Sequence, residues 1–131
     1  MTEPRWIEEP VVLALHRDQL KAFGGLAGVR DYGLLLSALA RAQNVWAYSS
    51  PKPDIVRLAA SYAFGLAKNH PFLDGNKRTA LIVCHTFLRD NGFELVATQP
   101  EQVRIILELA AGVIGEAEFE AWLRIHSQPT S

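Results

Sequence analysis

The chain has 131 residues, of which 49% are apolar and 21% are charged, and its net charge is −1. This composition is typical of an ordinary globular domain, and the near-zero charge gives it no general affinity for nucleic acid or a membrane surface. No apolar run reaches the roughly 18 residues of a membrane-spanning helix, and the acidic N-terminal segment does not resemble a signal peptide. We therefore expect a single cytoplasmic domain over residues 1–131, with a frayed tail at 127–131.

The pattern of apolar residues predicts an all-α fold, a compact bundle of about six helices. Pro10 is suited to the first turn of a helix, Gly24 and Gly25 to a helix end, and Asp31 and Asp54 to N-caps. A loop is predicted from Asn44 to Pro53. The predicted helices cover approximately residues 9–23, 32–43, 55–69, 76–91, 100–111 and 116–125.

The fourth predicted helix, about 76–91, is expected to be central, because its segment 80–84 (Ala-Leu-Ile-Val-Cys) is apolar on every side. Cys84 is the single cysteine and is expected to be a small core residue. Residues 93–96 are predicted to form a short strand or an extended link. His16, on the first helix, is expected to be a packed, hydrogen-bonded residue rather than a ligand.

A polar, turn-rich segment at residues 70–79 (His-Pro-Phe-Leu-Asp-Gly-Asn-Lys-Arg-Thr) separates the third and fourth helices. It leads into a helix start, where backbone N–H groups lack intrahelical acceptors and the helix dipole favours an anion. Gly75 removes a side chain that would keep a phosphate from the backbone, and Asn76 can donate from its amide. Lys77 and Arg78 add two cations. These four residues are predicted to bind phosphate.

Two other residues of the segment supply chemistry. Asp74 can bind a Mg²⁺ ion that bridges phosphate oxygens, and His70 is the candidate general base. Together with Lys77 and Arg78 they form a predicted catalytic set for attack by a hydroxyl on a phosphorus atom, a reaction that depends mainly on positioning and charge. The alternative is a basic, glycine-containing helix start with an incidental histidine.

Two other sites are excluded by the sequence. A P-loop would need a further glycine within a few residues upstream of Gly75, which is absent, and a preceding strand. A zinc site would need more ligands than one cysteine and histidines at unsuitable spacing can supply. Phe72 and Leu73 are expected to point inward and hold the segment in place.

Residues 70–78 resemble the signature of the Fic/Doc family, His-x-Phe-x-Asp/Glu-Gly/Ala-Asn-Gly/Lys-Arg. The likeness extends to segments 15–16, 23–25, 28–31 and 34–39, which are similar to the N-terminal half of Doc ("death on curing") toxins, and to 87–92 and 110–114, which are similar to the C-terminal half. The resemblance implies a Fic-like helical fold with a histidine base at His70. It also implies an acidic magnesium ligand at Asp74 and an anion-binding helix start at Gly75 to Arg78.

The segment departs from the nucleotidyl-transferring Fic pattern at two positions. Lys77 stands in place of a second glycine, and Leu81 in place of a second arginine. Both features resemble the Doc branch, whose members bind ATP in the reverse direction and transfer its γ-phosphate to a protein hydroxyl. The resemblance therefore implies a Mg-ATP-dependent Ser/Thr protein kinase that arrests translation, with a translation factor like elongation factor Tu as the target. AMP transfer is the alternative reaction.

The resemblance also implies a protein partner. Fic proteins often carry an inhibitory helix with the pattern Ser/Thr-x-x-x-Glu-Gly/Asn, and this sequence has no such run. Inhibition by a small antitoxin is then expected, as in a type II toxin–antitoxin system, through a disordered segment that folds on the toxin. A non-catalytic co-repressor that acts by binding the antitoxin is a further alternative. No direct nucleic-acid or membrane partner is expected.

Overall fold

The computed structural model of the chain describes residues 2–130. It is mostly helical, as predicted, with six helices and one small antiparallel sheet. The elements in chain order are α1 (Glu9–Phe23), α2 (Tyr32–Tyr48), α3 (Ile55–Asn69), α4 (Asn76–Asp90), β1 (Phe93–Leu95), α5 (Gln99–Ala111), α6 (Glu116–His126) and β2 (Ser127–Pro129). Within residues 2–130, no helix is both long and apolar enough to cross a membrane.

Local capping signals explain most of the helix ends. The carboxylates of Asp31 and Asp54 accept hydrogen bonds from backbone N–H groups of the first turns of α2 and α3, both at 3.0 Å. Pro10 lies in the first turn of α1, and Gly24, at φ 81°, follows its last residue. These helices begin and end within a residue of the predicted positions, except at the end of α2.

The end of α2 was predicted too early. The helix continues to Tyr48, so Asn44 is helical and the connection to α3 is confined to residues 49–54. Val45 and Trp46 extend the apolar spacing of the helix, and the Trp46 indole packs edge-on against Trp6 with ring centroids 6.4 Å apart. This tertiary contact keeps the polar-looking segment in the helix.

The most buried helix is α3 rather than α4, which corrects the prediction of a central helix at 76–91. Eleven of the 15 residues of α3 are buried, and α2, α4, α5 and α6 all pack against it. Gly65 allows α2 to approach closely, because a Cβ there would lie 3.1 Å from the Ala38 carbonyl oxygen. In α4, Val83 and Cys84 are buried, and burial raises the pKa of the Cys84 thiol to about 12. The expectation of a core cysteine is confirmed.

The C-terminal segment is not frayed at residues 127–129, contrary to expectation. It forms β2 and pairs antiparallel with β1, in the register Glu94 opposite Gln128. The ladder is extended by the Thr130 N–H, which donates to the Gly92 carbonyl at 2.8 Å. The cause is the otherwise unpaired backbone of β1, which provides a partner for an extended chain. Residue 131 lies outside the described part of the chain.

An ionic cluster fastens α6 to α2 and α3. The carboxylate of Glu116 accepts hydrogen bonds from Arg57 Nη1 at 2.8 Å and from the Ser61 hydroxyl at 3.1 Å, and it also pairs with Arg41. The Glu116 side chain is only 16% exposed. A charge removed from water to this degree needs its partners, so the cluster fixes where α6 begins.

Candidate active site

A groove of about 890 Å³ lies between α4 and α5, and the C-terminal part of α1 and the segment 70–75, here called the motif loop, complete its walls. Every residue predicted from the sequence to act in catalysis, phosphate binding or metal binding lines this groove. These residues are His70, Asp74, Gly75, Asn76, Lys77 and Arg78. The structure thus brings the predicted set to one surface.

The motif loop is fastened to α1 by His16. This histidine is buried, and its Nε2–H donates to the Asp74 carbonyl oxygen at 2.8 Å. Its ring also stacks on Phe72, with centroids 3.8 Å apart and an interplanar angle of 10°. His16 is therefore the packed, hydrogen-bonded residue that was predicted. Its contact with the motif loop was not predicted.

The connection between α1 and α2, residues 24–31, holds the loop from the other side. Arg30 donates from Nε to the His70 carbonyl at 2.8 Å, and its backbone N–H donates to the Pro71 carbonyl at 2.7 Å. The Leu73 N–H donates to the Gly28 carbonyl at 3.0 Å. These bonds hold His70 in a left-handed conformation, φ 49° and ψ 56°, that a residue with a side chain adopts only when its surroundings impose it.

Asn76 closes the loop on itself. Its Oδ1 accepts from the Phe72 N–H at 2.9 Å, and its Nδ2 donates to the Phe72 carbonyl at 3.0 Å. The amide that was predicted to donate to a phosphate thus uses one of its two N–H bonds within the loop. In this structure the Asn76 side chain holds the loop in its conformation through these two bonds to Phe72.

Gly75 is needed for a reason other than the one predicted. Its φ is 75°, and a Cβ built on it would point towards Leu20 and His16 of α1, at 3.5 to 3.7 Å, rather than towards a phosphate in the groove. The requirement is the positive φ, which glycine adopts without strain. The Gly75 N–H is also occupied, because it donates to Asp74 Oδ1 at 2.8 Å.

The backbone N–H groups that are free to bind an anion begin one residue after Gly75, at Asn76. Gly75 has no side chain with which to cap α4, and no residue in 2–130 accepts a hydrogen bond from the backbone N–H groups of Asn76, Lys77 or Arg78. These are the first three N–H groups of the helix, at the positive end of its dipole. They are available to the oxygens of a phosphate.

The Asp74 carboxylate retains capacity for a metal ion. Within residues 2–130 it accepts two hydrogen bonds, from the Gly75 N–H to Oδ1 and from the Leu26 N–H to Oδ2 at 3.3 Å, and its side chain is exposed to the groove. Among the described residues, no cluster of three or more His, Cys, Asp or Glu side chains could hold a metal. One carboxylate suits Mg²⁺, which is commonly held by one or two carboxylates, substrate phosphates and water.

Two cations and a histidine face the same groove. Arg78 places its guanidinium over the Phe23 ring, 4.9 Å from the centroid, and Lys77 is exposed beside it. The pKa of His70 lies below its ordinary value of 6.5, first because burial disfavours the charged ring and then because Lys77 and Arg30 repel it. A neutral imidazole at neutral pH can accept a proton.

The prediction that Phe72 and Leu73 point inward is half right. Phe72 is buried as predicted, but Leu73 is 53% exposed and lines the groove instead of pointing inward.

The contacts that sequence reasoning missed are long-range. The bonds of His16 and Arg30 to the loop join residues 58 and 40 positions apart. No local pattern signals such contacts, although a buried histidine on an otherwise apolar helix stripe is one indication.

Comparison with known proteins places this architecture in a family. The model of the Fic/DOC family matches residues 6–88, more than half of the chain. A protein named Toxin Doc from Mycolicibacterium smegmatis is 47% identical over 76 residues, a match that spans 58% of this chain and 58% of that protein. A protein named Protein kinase doc from Escherichia phage P1 is 34% identical over 120 residues, 92% of this chain and 94% of the phage protein. The chain belongs to the Fic/Doc family.

Proposed function

We propose that the chain is the toxin of a type II toxin–antitoxin system and a protein kinase that transfers the γ-phosphate of Mg-ATP to a Ser or Thr hydroxyl. The observation that carries this proposal is the meeting of three features in one groove: a His70 ring with a lowered pKa, the Asp74 carboxylate and the open N-terminus of α4. The names of the two relatives, a toxin and a protein kinase, support it.

In the proposed reaction, His70 accepts the proton of the target hydroxyl, whose oxygen attacks the γ-phosphorus. The new O–P bond forms as the bond to the β–γ bridging oxygen breaks, and ADP carries away that electron pair. Lys77, Arg78 and the free N–H groups of α4 bind the non-bridging oxygens, where negative charge concentrates. A Mg²⁺ ion at Asp74 would neutralise part of the charge on the phosphates.

Transfer of the γ-phosphate is preferred over AMP transfer because of Lys77 and Leu81. At position 77 a lysine adds bulk and charge where a glycine would let a diphosphate approach the backbone. At position 81 a half-buried leucine lines the groove, so no second guanidinium lies one turn beyond Arg78 to hold a distal phosphate. AMP transfer is the competing reaction.

The proposed target is a translation factor like elongation factor Tu, and the proposed regulator is a small antitoxin whose disordered segment folds on this chain. The relative named as a toxin supports the antitoxin. Modification of a translation factor would arrest protein synthesis, and the antitoxin would prevent it.

The test uses purified protein with Mg²⁺, elongation factor Tu and ATP labelled at either the α or the γ position. We expect label in the target from γ-labelled ATP only, and none with His70→Ala or Asp74→Asn. Label from the α position would replace the kinase proposal with AMP transfer. If His70→Ala still arrested growth of cells lacking the antitoxin, the protein would act by binding, for example as a co-repressor with the antitoxin.

A further inference from the structure

The groove continues well beyond the phosphate-binding end. Along α4, the side chains that line it recur at intervals of three and four residues, so they occupy one face of the helix: Arg78, Leu81, Ile82 and His85. α5 presents a matching face on the opposite wall: Gln99, Gln102, Val103, Ile106 and Leu107. The groove thus passes from a cationic end, through an apolar middle, to a polar far end.

A hydrogen bond spans the groove at that far end. His85 Nε2 lies 3.0 Å from Gln102 Oε1, while Gln102 Nε2 donates to the Ala97 carbonyl at 2.9 Å. The bond to Ala97 fixes which end of the amide is oxygen, so His85 must donate from Nε2. When Nε2 carries the ring proton, the Nδ1 atom is an acceptor, and no residue in 2–130 donates to it.

The spacing along α4 suits a nucleotide. Nine residues separate Asn76 from His85, which corresponds to about 14 Å at the rise of an α-helix. A nucleoside triphosphate whose terminal phosphate lies at the start of α4 can extend its base to His85 over that distance. The side chains of Ile82 and Ile106 lie on opposite walls of the groove and offer apolar surfaces to the faces of the base.

We propose that His85 and Gln102 determine which nucleobase the groove accepts, and that they select a base with an exocyclic amino group, such as adenine, over one with an oxo group, such as guanine. This inference rests on the proposed function, because it assumes a nucleotide in the groove. The amino group of adenine donates to His85 Nδ1. A 6-oxo group in its place would bring two acceptors together and leave both without a hydrogen bond.

The experiment measures the binding of Mg-ATP and Mg-GTP by titration calorimetry, in a His70→Ala background so that no transfer occurs. Two substitutions separate the two ring nitrogens. His85→Gln retains an N–H for Gln102 but removes the Nδ1 acceptor, whereas His85→Asn retains a polar group near the Nδ1 position and loses the bond to Gln102.

With His85 intact we expect ATP to bind about tenfold more tightly than GTP, which is the value of one hydrogen bond. His85→Gln should lower ATP affinity about tenfold without lowering GTP affinity, and so abolish the preference. His85→Asn should weaken ATP less than His85→Gln and keep part of the preference. Thermal unfolding of each variant establishes that it is folded.

A preference for ATP that is unchanged in His85→Gln would overturn the inference and leave the proposed function intact. The two are separated further by inorganic tripolyphosphate, which has no base. Its binding should be unaffected by His85→Gln and lost in Arg78→Ala. If tripolyphosphate and both nucleotides failed to bind with His85 intact, the proposed function would fail, and the base selection with it.

Discussion

Replacing His16 tests how the motif loop is held. His16→Leu keeps an apolar side chain of similar size in the buried site, but removes the hydrogen bond to the Asp74 carbonyl and the stacking on Phe72. A net hydrogen bond contributes about 1 kcal/mol, and a stacked ring pair about 1 kcal/mol beyond its buried area. We expect the free energy of unfolding to fall by about 2 kcal/mol. His16→Gln, which can still donate to Asp74, should lose about 1 kcal/mol.

Urea unfolding followed by tryptophan fluorescence provides the measurement, with Trp6 and Trp46, which are half-buried and pack against the core, as reporters. Val11→Ala is the control on the same helix, because Val11 is 44% exposed and its truncation should change stability by no more than about 0.5 kcal/mol. A loss below about 0.5 kcal/mol for His16→Leu would refute the anchoring role. Equal losses for the two His16 variants would show that the hydrogen bond contributes nothing.

Three further predictions concern the loop and the ionic cluster. In Lys77→Met the pKa of His70 should rise, since one of the charges that repel the protonated ring is gone. Because the neutral ring is the base, the acid limb of the pH profile of the transfer rate should move to higher pH. An acid limb that does not move would argue against His70 as the base. Gly75→Ala and Gly92→Ala, at φ 75° and 88°, should each lower the free energy of unfolding in urea by about 1–2 kcal/mol. Only Gly75→Ala should also weaken tripolyphosphate binding in calorimetry. Equal binding by the two variants would contradict the placement of the phosphate. Glu116→Ala should lower the free energy of unfolding by about 1–3 kcal/mol. An unchanged midpoint of urea unfolding would show that the ionic cluster does not stabilise the fold.

The helices could be predicted because their signals are local. Asp54 caps α3 and Pro71 disfavours helical geometry at His70, so the limits of α3 are encoded within a few residues of each end. The end of α2 was missed because Trp46 is kept helical by Trp6, a residue 40 positions away in the chain. Likewise, the extended backbone of residues 127–129 depends on β1, which a reading of the tail alone does not reveal.

The same distinction applies to the site. The residue types of segment 70–78 predict a site for phosphate chemistry, because the segment combines a histidine, a carboxylate and two cations around one glycine. The hydrogen-bond partners of these residues follow no such rule. The Asn76 side chain bonds to the backbone of Phe72, and a Cβ at Gly75 would face α1 rather than the groove. His16 and Arg30 hold the loop in position. These facts depend on packing between distant segments.

The bonds between the motif loop and residues 24–31 have a consequence for protein engineering. Because Arg30 holds the His70 carbonyl and Gly28 holds Leu73, the connection between α1 and α2 cannot be exchanged as an independent module. A graft that replaces this connection would also alter the orientation of His70. Libraries that vary this segment should therefore keep Gly28 and Arg30 constant, and diversify only the positions whose side chains and backbone do not contact the loop.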